Sequence, residues 1–132
     1  MKRFGLLLLL MYIVGSKKVP KRLVDSWINM VKPFQEVCSK RFGISSELAR
    51  DVLINANPPN ERSYKCYGSC TFGELGYLTP HGRFDITVLM EKAPFILQEV
   101  IQGCVSEGAS EDDLCEKAYK NLNCLMQGMA ED

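Results

Sequence analysis

The sequence predicts an all-α fold of about six short helices, and three observations carry that expectation. Apolar residues recur at steps of three and four along the chain, with no strand-like alternation, repeat or low-complexity tract. Proline, glycine and asparagine clusters cut that pattern into short pieces. Six cysteines in a chain of 132 residues read as three disulfides, the usual reinforcement of a small exported domain.

The first sixteen residues stand apart. Met1-Lys2-Arg3 is a charged start, Leu6 to Val14 is a short apolar run, and Gly15-Ser16 offers small residues for cleavage. Nine apolar residues are too few to cross a hydrocarbon core of about 30 Å, so 1–16 reads as a signal peptide and 17–132 as the domain. Without Lys2 and Arg3 the domain has 14 basic and 16 acidic side chains. No basic face is implied, and therefore no nucleic-acid partner.

Leu23, Trp27, Met30, Phe34, Val37 and Cys38 form the stripe of a first amphipathic helix. Pro33 lies inside it, which predicts two parts, 20–32 and 33–41, with Gly43 as the stop. Ser46 is expected to cap a second helix carrying Leu48, Ala49, Val52, Leu53 and Ala56. Asn57-Pro58-Pro59-Asn60 breaks the chain before a third helix that begins near Arg62 and ends near Gly76. That helix carries Cys66 and Cys70, four residues apart. Their Cβ atoms are about 5–6 Å apart on one face, too far for a disulfide, so each reaches a different partner.

Tyr77 to Phe84 is a loop with turn residues inside and apolar residues at both ends, which predicts that Tyr77, Leu78 and Phe84 turn inward. Asp85 caps a short fourth helix, Ile86 to Lys92. Pro94 suits the first turn of a fifth helix that runs through Cys104 and stops at Gly108. Ser110 with Asp113 resembles a capping box for a last helix, 111–127, buried on two faces. On it Cys115 and Cys124 are nine residues apart, on opposite sides and about 13 Å apart along the axis. Excluding these two impossible pairs leaves ten of the fifteen pairings open.

Catalysis finds little support. The lone histidine, His81, sits beside a glycine in a turn with no nucleophile motif near it. No cofactor or metal is implied: the cysteines lack the spacing of a zinc site, and Glu111-Asp112-Asp113 lacks the regular spacing of a calcium loop. What stands out is apolar content around the third and fourth helices in a domain that disulfides already stabilise. Such a fold tolerates a hollow centre, and a hollow lined by aromatics and methionine is a small-molecule site. The alternative is a disulfide-stapled signalling or interaction protein with a solid core.

The spacing C-x27-C-x3-C-x33-C-x10-C-x8-C resembles that of the insect odorant-binding proteins, pheromone and general odorant-binding types. Lys65-Cys66-Tyr67-Gly68-Ser69-Cys70, Thr79 to Asp85, and Cys115-Glu116-Lys117-Ala118-Tyr119 echo it further. The resemblance implies six helices around an apolar cavity and the pairing Cys38–Cys70, Cys66–Cys115 and Cys104–Cys124. It also implies a secreted, non-enzymatic carrier of small hydrophobic molecules, with a membrane chemoreceptor and a weak homodimer as further partners. By position, Phe72, Tyr77, Phe84, Leu89 and Met90 are expected to face ligand between the third and fourth helices, with Leu53 and Val100 as lesser contributors. Tyr77 is the expected polar contact. Only eight residues follow Cys124, so a long tail folding over the pocket is not expected.

Overall fold

The computed structural model describes residues 17–132; the signal-peptide reading of 1–16 lies outside the described residues. The described residues form six helices: α1 Lys21–Phe42, α2 Ser46–Asn55, α3 Arg62–Leu75, α4 Ile86–Lys92, α5 Gln98–Cys104 and α6 Leu114–Met129. Among the described residues there is no strand, only the isolated bridges Lys18–Glu131 and Leu78–Phe84.

The central pair is α3 and α6, with α1 also packed on α3 and α5 against α6. Disulfides fix these neighbours: Cys38–Cys70 joins α1 to α3, Cys66–Cys115 joins α3 to α6, and Cys104–Cys124 joins α5 to α6. The third helix therefore serves two staples, as the four-residue spacing of its cysteines requires. The staples close separations of 32, 49 and 20 residues. Each is worth about 3–4 kcal/mol in the loop-entropy account.

Four details differ from expectation. Helix α1 is continuous through Pro33. The proline removes the donor for the Asn29 carbonyl, but both residues are exposed, so water can take the place of the missing bond. Val24, Trp27, Val31 and Cys38 stay aligned on the buried side. Helix α5 begins at Gln98 rather than at Pro94, because Ala93 to Ile96 close a turn of their own through Ile96 N–H to Ala93 O at 3.1 Å. Helix α6 begins at Leu114, capped by Asp113 instead of Ser110. The cap of α2 moves by one residue: Ser45, not Ser46, accepts from the Leu48 amide at 3.1 Å.

The segment after α3 turns inward. Gly76 takes the left-handed conformation at φ 82°, which reverses the chain and drops Tyr77 and Leu78 into the core at 0% and 3% exposure. Leu78 and Phe84 bridge at the base of a tight turn whose tip carries the exposed His81. At the far end of the domain Lys18 and Glu131 exchange backbone hydrogen bonds of 3.0 and 2.8 Å, tying the two ends together.

Candidate ligand-binding site

An apolar pocket of about 300 Å³ opens between α1, α2 and α3, with α6 as its floor. Each wall follows from helical spacing. Trp27, Ile28 and Val31 come from one side of α1, Leu53 and Ala49 from α2, and Leu122 and Met126 from successive turns of α6. From α3 come Tyr64, Tyr67, Gly68, Thr71 and Phe72, a repeat of three and four that places all five on one face. Gly68 matters by its smallness: a Cβ there would lie 3.5 Å from Leu122 Cδ2, in ordinary contact, so a larger side chain would extend into pocket space.

The mouth is charged and the interior is not. Lys32, Glu47 and Arg50 stand at the rim, where Arg50 donates to Asp25 at 2.9 Å. Hydrogen bonds from Lys21 and then Arg50 hold the Asp25 carboxyl below the usual carboxylate range. Inside, the Tyr67 hydroxyl donates to Gln35 Oε1 at 2.6 Å, and Thr71 Oγ1 donates to the Tyr67 carbonyl at 3.0 Å. Burial raises the Tyr67 phenol above its ordinary pKa, against the opposing effect of its hydrogen bonds. Burial likewise pushes Tyr64 well above the ordinary phenol value, so both side chains stay neutral.

The expected site residues divide. Phe72 and Leu53 stand on the pocket wall; Tyr77, Phe84, Leu89, Met90 and Val100 do not line it. The reason is an aromatic row that runs away from the pocket. Trp27 meets Phe72 edge-on at 6.4 Å, Phe72 meets Tyr77 at 5.0 Å, and Tyr77 meets Phe84 at 5.1 Å. Tyr77 thus lies behind Phe72, fully buried between it and Phe84. Its hydroxyl is also taken, donating to Asn121 Oδ1 at 2.9 Å. Leu89 is fully buried on α4, Met90 half-buried beside it. Val100 lies so close to Gly128 that a Cβ on that glycine would collide with its methyls.

The contribution of α1 was missed because Trp27 and Val31 belong to a stripe that reads as ordinary core. A signal for the α3 face was present. Tyr64, Tyr67 and Thr71 fall at helical spacing and set three hydroxyls on one side of the cysteine-bearing helix, where pure core would call for hydrocarbon.

Among the described residues, six helices, three staples and an apolar pocket between them define a small disulfide-stapled helical domain. The chain belongs to the PBP/GOBP family, whose model matches residues 21–128. It is similar to general odorant-binding protein 57e of Drosophila melanogaster, 32% identical over 92 residues that cover 67% of this chain and 68% of that protein. No solved structure matches it significantly. Family and fold agree with the cysteine spacing, and they support a carrier role.

Proposed function

We propose that this protein is a secreted, non-catalytic carrier that holds one small hydrophobic molecule, of the odorant or pheromone class, between α1, α2, α3 and α6. The observation that carries the reading is the pocket itself: about 300 Å³ walled by Trp27, Val31, Leu53, Phe72, Leu122 and Met126. That volume suits about ten non-hydrogen atoms, taking roughly 30 Å³ for each water-sized group. Burying about ten CH₂ groups at roughly 0.8 kcal/mol each gains about 8 kcal/mol, a micromolar dissociation constant before ordering costs weaken it. The pocket also favours a carrier over an interaction protein with a solid core. Among the described residues no helix is long and apolar enough to cross a membrane, which is consistent with export. Delivery to a membrane chemoreceptor and weak dimerisation belong to the same reading.

Trp27 is the sole tryptophan of the chain and lines the pocket, so ligand entry should change its emission. The oxidised protein is titrated with an uncharged fluorescent probe, N-phenyl-1-naphthylamine, and then with medium-chain ketones, esters and alcohols. One probe per chain, displaced by these compounds with a matching change in Trp27 emission, supports the carrier. No binding by a natively folded sample rejects it.

A further inference from the structure

Three residues with hydroxyls stand on the buried α3 wall of the pocket, and two of those hydroxyl protons are already used. Tyr67 donates to Gln35 and Thr71 to the Tyr67 carbonyl. Tyr64 is different. Its side chain is 2% exposed and lines the pocket, yet among the described residues nothing pairs with its hydroxyl. The neighbouring phenols are engaged elsewhere: Tyr77 with Asn121, and Tyr119 with the Pro58 carbonyl at 3.1 Å. Among the described residues no fully sealed polar side-chain atom is left without a partner, so the Tyr64 oxygen keeps a little open surface. The pocket is open space that this buried side chain borders.

Resting on the carrier reading above, we propose that the Tyr64 hydroxyl is the polar anchor of the pocket, donating to an acceptor oxygen on the bound molecule. The favoured class is then an uncharged apolar compound with a carbonyl or ester oxygen, rather than a pure hydrocarbon. Burial keeps the phenol protonated and able to donate across the pH range in which the protein works. A carboxylate is less suited, since the cations that border the pocket, Lys32 and Arg50, sit at the rim and Arg50 is already paired with Asp25. Donor and rim therefore select by different chemistry at different depths.

Two ligands of equal shape isolate the bond: nonan-2-one, and 2-methylnon-1-ene, in which a methylene replaces the carbonyl oxygen. Affinities are measured by displacement of N-phenyl-1-naphthylamine from the wild type and from Tyr64→Phe, with circular dichroism as a check on folding. The substitution should lower ketone affinity by roughly 3- to 10-fold, the size of one neutral hydrogen bond, and leave alkene affinity unchanged. An equal effect on both ligands, or none on either, overturns the role of Tyr64 and leaves the carrier reading standing. A wild type that binds the probe and neither ligand also overturns it. A wild type that binds no probe overturns the carrier reading, and this inference falls with it. The infrared carbonyl stretch of ketone bound to the wild type gives a test without mutation. A shift to lower frequency supports the bond, and a stretch at its value in hydrocarbon solution overturns it.

Discussion

The Tyr77 hydroxyl donates to Asn121 Oδ1 at 2.9 Å, and Asn121 Nδ2 donates to the Cys104 carbonyl at 2.9 Å, with both side chains at 0% exposure. This two-bond chain joins the segment after α3 to α6 and to the end of α5, beside the Cys104–Cys124 staple. Buried polar groups of this kind are costly to leave half-satisfied. Tyr77→Phe leaves the Asn121 oxygen buried without its donor and is expected to destabilise by about 1–3 kcal/mol. Urea unfolding measures it, and a loss under about 0.5 kcal/mol would mean that water or a neighbour replaces the bond.

The same phenol makes stability fall in alkali. Burial pushes the Tyr77 pKa from its ordinary 10.0 up to about 12, against the lowering effect of its bond to Asn121. Above pH 10 the unfolded chain releases this proton while the folded chain keeps it, so rising pH favours unfolding. The contribution is complete below pH 10 and is lost as pH approaches 12. Unfolding free energies of wild type and Tyr77→Phe should converge between about pH 9.5 and 11.5. Parallel curves over that range would show that Tyr77 does not titrate as its burial requires.

The sequence made the frame legible because cysteines and chain breaks act locally. The four-residue spacing of Cys66 and Cys70 required α3 to serve two neighbours, and Gly43 and Gly76 end their helices in the left-handed conformation as expected. Pro33 misled because the hydrogen bond it removes is only part of what holds α1, whose buried side packs on through the proline. Asn29, whose carbonyl loses that bond, is exposed to water. The pocket was harder to read because core and pocket wall use the same side chains. Phe72 and Tyr77 are both fully buried and in contact, yet only Phe72 borders open space. Nothing local in the sequence distinguishes the two; the difference arises from how α1, α2 and α6 are placed around α3.

Acid should loosen the junction between α3 and α6. Asp113 caps α6 by accepting from the Glu116 amide at 3.0 Å and receives a two-pronged bond from Arg62 at 2.9 and 2.8 Å. Arg62 first, and then the helix amide, lower its pKa from 3.8 to about 2. A depressed folded pKa means that the unfolded chain takes up the proton first. The stabilisation is present above pH 3.8 and is lost as pH falls toward 2. Asp113→Asn retains a good cap without the charge, so its stability gap to the wild type should close over that window. A constant gap would show that the Arg62 pair contributes nothing, a common result for pairs this exposed.

Pocket and aromatic row can be separated by truncation. Leu53→Ala removes part of the pocket wall and should weaken binding of a ten-atom ketone by at least threefold, from about 0.8 kcal/mol per lost methylene contact. Phe84 lies at the other end of the row, half-buried against Tyr77, with the Lys117 ammonium 6.0 Å from its ring centre. Phe84→Ala should lower stability and leave ligand affinity within twofold, by the near-additivity of distant sites. The reverse pattern in probe titrations would place the ligand between α3 and α4.

Gly68 offers the sharpest test, because one position can raise stability while it removes space. It sits on the pocket face of α3, buried, in a helix that gains about 0.8–1.0 kcal/mol when alanine replaces an interior glycine. The nearest atom to an added Cβ is Leu122 Cδ2 at 3.5 Å, so alanine enters without a clash. Gly68→Ala should therefore raise the unfolding free energy by up to about 1 kcal/mol while narrowing the pocket for branched ligands. Gly68→Leu extends the side chain further into pocket space and should occupy room that a ligand would fill. It should abolish binding of N-phenyl-1-naphthylamine while the native circular dichroism and all three disulfides remain. The two substitutions also distinguish a pocket from loose packing. In a site that holds ligand, stability and affinity move in opposite directions as the side chain grows. If Gly68→Leu leaves probe affinity unchanged in a folded protein, the ligand does not bind against α3 at this level and the proposed site is wrong.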